Sequence, residues 1–369
     1  MSGVTGRAMV NFGAGFPWEM REYPVPDPEP GAIVAKITMA SICGTDVHLY
    51  QGDFGGRPPA KQKPSIMGHE FVGRVHKLGA GVSTDTTGRP LAEGDRVVWS
   101  PSMLCGRCPA CLKGVLPCPN RKAHSGTTSD EWPHFKGAFA EYYYLSPGQW
   151  VYKVPDNVPD AAAVYVDCAA GTVAYALSKV CFPMGSWGVI QGAGGLGLCA
   201  APVMKDLGAR VIMVDKVAER LAIATSFGAD HTIDSTEYPT PESRIARVKE
   251  LTGGRGAEVV MEVVAAAPEV VPEGIQMLDV GGTYLTVGLV GPYKVELSMM
   301  PFIDRGIRLI GSASFDASTM AQVLDLMART MDRYPWASLI SHTFPLEDAE
   351  KAIQEAIAGR VVRAALVME

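Results

Sequence analysis

Hydrophobic positions change their spacing along this chain, and the change divides it. In the first hundred residues the apolar runs are short and alternate with polar positions, as in GAIVAKITMASI and FVGRVHKLGAGV, with Gly, Pro and Asp between them. That pattern predicts β-strands packed into a compact, mostly β domain. Residues 101–137 lose periodicity and carry Cys, Pro, Gly and His, which predicts a long loop needing internal support. Strand-like runs return at 138–155 (GAFAEYYYL, WVYKVP), and the Ala-rich stretch 160–181 predicts helix. From Trp187 onward apolar runs and helical stretches alternate. WGVIQ, VIMVD, HTID, AEVVMEVV and GGTYLTVGL read as strands, and LCAAPVMKDLG, AERLAIATSFG, 241–252 and 268–279 as helices. Strict alternation predicts a parallel sheet with crossover helices. ASTMAQVLDLMARTM and LEDAEKAIQEAIAGR close the chain as two amphipathic helices.

Length agrees with this division. A chain of 369 residues exceeds the size at which one core usually keeps growing. The net charge of −6 argues against a nucleic-acid partner, which would call for a basic face. No apolar run reaches the roughly 18 residues of a membrane span. The start, MSGVTGRAMVNFGAGF, lacks the layout of a secretory leader, so the expectation is a cytoplasmic protein with no membrane partner. Eight cysteines in such a chain point to metal ligation or catalysis before disulfides.

Residues 189–197 read VIQGAGGLG, so Gly192, Gly194 and Gly197 satisfy G-x-G-x-x-G, with Gly195 and Leu196 inside the turn. An apolar strand precedes it and a helix follows, the context a dinucleotide site requires. The first glycine permits the turn, the second lets a pyrophosphate approach, and the third lets helix and strand pack closely. VIMVD ends in Asp215, placed to bond ribose hydroxyls and repel a 2′-phosphate, which favours NAD. Lys216 and Arg220 pull slightly the other way, since either could meet a phosphate.

Cys105, Cys108, Cys111 and Cys118 stand as C-x2-C-x2-C-x6-C. Four thiolates in so short a loop suit a closed tetrahedral zinc, whose role is to hold a loop without a core. An iron–sulfur cluster fits less well, because the ferredoxin spacing is missing. Cys43 and His69, with Cys168 further on, could supply three ligands of a second, open zinc site.

Together CGTDVH, GHEFVGRV, GDRVV at 94–98, the four-cysteine loop, GAGGLG with Asp215 and the closing LEDAEKAIQEAIAGR resemble the zinc-containing medium-chain dehydrogenase/reductase family, alcohol dehydrogenase type. The resemblance covers essentially the whole chain. It implies an α/β protein: a GroES-like β domain from 1–168 and 313–369 around a Rossmann domain at 169–312, with the active site in the cleft between them. It implies Cys43, His69 and Cys168 as catalytic zinc ligands, giving two zinc ions per chain. Glu70 is implied beside the metal, Asp46 as the carboxylate orienting the ligating histidine, Thr45 as the contact to the substrate oxygen, and His48 as the end of a proton relay. Imidazoles suit that last role because they exchange protons near neutrality. A small-molecule alcohol or carbonyl substrate, NAD and a homodimer or homotetramer complete the expectation.

Two departures stand out. The last loop spacing is x6 where x7 is usual. Polyol-dehydrogenase-like members use a Glu near the third ligand, and Asp167 adjoins Cys168; CAAGTVAYAL favours the cysteine. Three other readings compete: a polyol or amino-alcohol dehydrogenase, a zinc-free enone or quinone reductase, and a non-enzymatic NAD-binding zinc protein. Tyr50, Phe54 and Pro101 are candidates for the pocket lining. Cys181 and Cys199 are expected as packed thiols, His124 and His134 as surface loop residues, and His76, His231 and His342 as structural. Tyr142, Tyr143 and Tyr144 are expected to serve packing.

Overall fold

The computed structural model describes residues 3–53, 61–123, 127–265, 267–288 and 294–368. The chain forms two compact units: Met1–Cys168 with Asp316–Met331 and Trp336–Glu369, and Ala169–Phe315 with Asp332–Pro335.

The first unit is built on a sheet in which Ile33–Ser41 is central. It pairs antiparallel with Glu70–Leu78, Tyr142–Leu145 and Ala364–Val367, so both chain ends contribute. Its core holds Ile37, Phe71, Trp99, Phe139 and Tyr143. Phe71 stacks on Trp99 at 4.4 Å and leans on Tyr143 at 4.9 Å. All three tyrosines of the run are buried, so their strand is covered on both faces.

The second unit is a parallel six-stranded sheet in the order His231–Asp234, Arg210–Asp215, Trp187–Gln191, Ala257–Glu262, Leu278–Thr286, Arg308–Gly311. This 3-2-1-4-5-6 order is the dinucleotide-binding arrangement, whose ligands meet the carboxyl ends of the first strands. Helices Gly195–Asp206, Ala218–Ala224, Pro241–Leu251 and Val270–Met277 supply crossovers. Among the described residues no helix is long and apolar enough to cross a membrane.

Three expectations need correction. The helix predicted over 160–181 is broken into Asp160–Ala163, a π-helical turn Val166–Ala170, and Gly171–Leu177. Cys181 lies beyond the last of these and is exposed, not packed. His134 is half-buried, with φ of 65°, stacked on Tyr23 at 5.1 Å, with Nδ1 2.9 Å from the Ser129 carbonyl oxygen. That hydrogen bond and that ring hold it in place of solvent. Cys199 is buried. His76 packs edge-on against Tyr142, His231 tilts against Trp187, and His342 is exposed. His124 and Phe54 lie outside the described residues.

Candidate metal centres and nucleotide turn

Cys43 ends the turn after the central strand and caps helix Gly44–Gln51. Its N–H donates to Asp46 Oδ2 at 2.9 Å, closing the first turn and fixing where Sγ points. Thr45 Oγ1 stands 3.9 Å from that sulfur. His69 follows Gly68, whose φ is +86° and whose added Cβ would meet the Phe139 ring at 2.6 Å. Only glycine permits both the backbone conformation and that close approach. Cys168 comes from the π-helical turn.

These elements converge. Cys43 Sγ lies 3.7 Å from Cys168 Sγ, and Cys168 Sγ lies 3.4 Å from His69 Nε2. A tetrahedral zinc with bonds of about 2.3 Å to sulfur and about 2.0 Å to nitrogen separates two sulfurs by roughly 3.8 Å and sulfur from nitrogen by roughly 3.5 Å. The donor set therefore fits zinc in both chemistry and spacing. Glu70 offers a carboxylate oxygen to the same cluster, all donors lying within 4.8 Å of one another.

The surrounding electrostatics point the same way. A hydrogen bond from Cys168, with the charge of His69, holds the Cys43 thiol well below its ordinary range against the effect of burial. The same bond and burial push Cys168 well up. Burial opposes a charge on His69, but Asp46 and Cys43 outweigh it and raise the imidazole. Asp46 is itself buried, with Oδ1 at 3.4 Å from His69 Nδ1, a charge contact longer than a good hydrogen bond. Such a cluster competes for protons that a dication would displace.

Glu70 turns partly away. Its Oε2 accepts from Ser41 Oγ at 2.5 Å and from Arg363, and Oε1 is buried without a hydrogen bond. Asp167, the alternative third ligand, gives Oδ2 to the Phe71 N–H at 3.2 Å, while its neighbour Cys168 faces Cys43 and His69. His48 Nδ1 lies 2.8 Å from Asp53 Oδ2 at the exposed end of its helix. Tyr50 donates to Glu350 at 2.9 Å, and Pro101 is half-buried. Arg363, Ser41 and Asp53 are the neighbours that sequence reasoning missed; an arginine inside the apolar run VVRAALV was the one available signal.

The four-cysteine loop makes a second cluster. Sulfur separations are 3.9 Å for Cys105–Cys111, 3.7 Å for Cys108–Cys118 and 3.6 Å for Cys105–Cys118. Each is close to the sulfur–sulfur edge that a tetrahedral zinc would require. Backbone N–H groups of Arg107 and Cys108 pull the Cys105 thiol down to about 6. Helix Pro109–Leu112 is a single turn, and Leu112 and Val115 are exposed, so a hydrophobic core does not hold this loop.

In the second unit, strand Trp187–Gln191 delivers the glycine turn. Gly192 has φ of 110°, and a Cβ on Gly197 would sit 1.9 Å from the Gly192 carbonyl oxygen. Gly194 caps helix Gly195–Asp206, and a Cβ there would meet nothing within 4 Å. The turn is thus tight where it packs and open where the helix N-terminus begins, as a phosphate-binding turn needs. Gly195 and Leu196 are half-exposed in its first turn. Asp215 ties the second strand to this turn: Oδ2 accepts from Ala193 N at 2.6 Å and Oδ1 from Lys216 N and Val217 N at 2.7 and 2.9 Å. Lys216 is exposed and Arg220 half-buried just beyond.

Residues 29–156 match the alcohol dehydrogenase GroES-like domain and residues 195–329 the zinc-binding dehydrogenase domain. The chain is 35% identical over 350 residues, 94% of each protein, to a 5-exo-hydroxycamphor dehydrogenase of Pseudomonas putida. It is 30% identical to a sorbitol dehydrogenase of Halalkalibacterium halodurans, again over 94% of each. Its fold superposes on an alcohol dehydrogenase of Thermotoga maritima with a TM-score of 0.91, 30% identity and complete coverage of both chains. With its fold, two sulfur-rich clusters and glycine turn, the chain belongs to the zinc-containing medium-chain dehydrogenase/reductase family, alcohol dehydrogenase type.

Proposed function

We propose that the protein is an NAD-linked zinc alcohol dehydrogenase that interconverts a secondary, cyclic or aromatic alcohol with its ketone or aldehyde. The observation carrying this reading is the convergence of Cys43, His69 and Cys168 at zinc-ligand spacings. Those three residues would hold the catalytic ion, and Cys105, Cys108, Cys111 and Cys118 a structural one. When bound, zinc supplies Lewis acidity, lowering the pKa of a hydroxyl and stabilising charge on its oxygen, while NAD supplies the hydride acceptor.

The chain's own residues supply the rest. Asp46 orients His69 and the Cys43 backbone together, as ligand-supporting carboxylates do. Thr45, two residues on from Cys43 in the first turn of its helix, would accept the proton of the substrate hydroxyl while handing its own on. His48, oriented by Asp53, passes it toward solvent. Arg363 holds Glu70 beside the ligands without letting its charge stand alone. Gly192, Gly194, Gly195, Leu196 and Gly197 would seat the dinucleotide, and Asp215 would meet its adenosine ribose.

The hydroxycamphor relative supports a secondary alcohol on an aliphatic ring, and the sorbitol relative supports a polyol as the second reading. A panel of bicyclic, aromatic and polyol substrates with NAD and NADP, run beside zinc quantification, tests both. Turnover of ring alcohols with NAD and two zinc ions per chain is expected. His69→Ala should abolish turnover and remove one ion. Full activity of that variant would refute the mechanism, and nucleotide binding with one ion and no turnover would indicate a non-enzymatic protein.

A further inference from the structure

Asp167 is fully buried beside the candidate catalytic cluster, and ligation does not explain it. One carboxylate oxygen accepts from the Phe71 N–H at 3.2 Å, 96 residues away, and the other has no hydrogen bond. Burying a carboxyl group is costly, so its one partner needs a reason.

The backbone supplies that reason. Strand Glu70–Leu78 pairs on one edge with the central strand, Phe71 opposite Ala40. On its other edge it pairs with Arg96–Trp99 only at Gly73 and Arg74. The Phe71 N–H therefore has no sheet acceptor, and Asp167 fills the vacancy. On the other side of the contact, Asp167 lies within the π-helical turn Val166–Ala170, where the Cys168 N–H also reaches the Tyr165 carbonyl oxygen at 3.4 Å. The contact thus joins two backbones that are far apart in sequence. One carries His69 two residues before Phe71, and the other carries Cys168 immediately after Asp167. His69 Nε2 and Cys168 Sγ lie 3.4 Å apart.

We propose that Asp167 is a positioning residue that clamps the Cys168 turn to the His69 strand and so sets the bite of the metal site. This rests on the reading of Cys43, His69 and Cys168 as ligands. Groups that orient metal ligands are typically worth 10- to 100-fold in metal affinity.

Asp167→Ala removes the acceptor, whereas Asp167→Asn keeps an oxygen for the Phe71 N–H. Zinc content, the rate of zinc release to a chelator, thermal unfolding and the absorption of the cobalt-substituted protein are measured for each. The alanine variant is expected to release one of its two ions about 10- to 100-fold faster. Its cobalt–thiolate bands should shift while the four-cysteine ion stays bound, and the asparagine variant should restore release to within a few-fold of wild type. Should the alanine variant not fold, Asp167→Ser, too short to reach the N–H, is expected to lose metal in the same way. Lowered melting with unchanged release and unchanged cobalt bands would overturn the clamp, as would an asparagine variant no better than alanine. A wild-type protein binding only the four-cysteine ion would overturn the ligand reading itself.

Discussion

Glu70 and Arg363, 293 residues apart, form an ion pair with side chains 0% and 5% exposed. Ser41 completes it, giving its hydroxyl to Glu70 while accepting from the guanidinium at 3.0 Å. Burial pushes the Glu70 carboxyl up to about 7, and the Arg363 charge keeps it from going higher. A buried charge that loses its partner typically costs about 3–5 kcal/mol. Arg363→Ala should destabilise the protein by that amount, and adding Glu70→Gln should recover most of the loss. The sign with pH follows from a folded-state pKa above the unfolded one. Glu70's contribution is fully present below about 4.5 and declines as pH rises through about 7. Denaturant titrations of the zinc-free protein across that window should show the decline in wild type and its absence in Glu70→Gln.

The glycine turn makes a two-sided prediction. At Gly197 an added methyl would lie 1.9 Å from the Gly192 carbonyl oxygen. Gly197→Ala should therefore lower stability by about 1–3 kcal/mol, as overpacking does, and abolish nucleotide binding. At Gly194 φ is −77° and a methyl meets nothing. Gly194→Ala should melt like wild type yet bind the dinucleotide about tenfold more weakly, a loss of about 1.4 kcal/mol. Calorimetry and dye-free melting curves separate the two. Equal affinity in Gly194→Ala would mean that no phosphate approaches there.

These features were legible in sequence because they are local. Four cysteines within one loop, or three glycines between strand and helix, announce their chemistry through spacing alone. The alternation after Trp187 likewise foretold a parallel sheet, since crossover helices and strands leave different periods. What escaped was non-local. Arg363 sits in an apolar run just before strand Ala364–Val367, and its meaning depends on a glutamate in the first part of the chain. Asp53 meets His48 only because helix Gly44–Gln51 brings the two side chains together. The π-helical turn escaped for a different reason: Ala-rich sequence suits ordinary helix equally well, and the extra residue answers to packing, not to propensity. Cys181 differs from expectation because the Ala-rich pattern runs past Leu177, where the helix ends.

The four-cysteine loop should depend on metal and the rest of its unit should not. With one helical turn, a two-residue strand pair at its base and two exposed aliphatic side chains, the loop should take its order from ligation. Cys111→Ser should lower zinc content by one ion per chain and open residues 104–123 to limited proteolysis. The remaining chain should resist, since its sheet core contains none of these cysteines. Mass spectrometry of early fragments checks this. Cleavage elsewhere first would show that the loop supports more than itself.

Lys136 offers a pH test at a residue that belongs to neither cluster. Its ammonium donates to the Tyr144 carbonyl oxygen at 3.0 Å and to Ser146 Oγ at 2.7 Å, and lies 4.8 Å from the centroid of the Tyr144 ring. Burial nevertheless pulls its pKa from 10.5 down to about 8, against the attraction of Glu29. The unfolded chain keeps its proton to higher pH than the folded one. Between about 8 and 10.5 the unfolded state therefore binds more protons, and stability from this group rises with pH. The full change is up to about 3 kcal/mol, less whatever solvent relieves at the exposed part of the side chain. Lys136→Met removes the titration. The stability difference, wild type minus variant, should become more favourable to wild type as pH climbs through that window, read from urea unfolding midpoints. A difference that stays flat would show that the ammonium is adequately solvated where it sits.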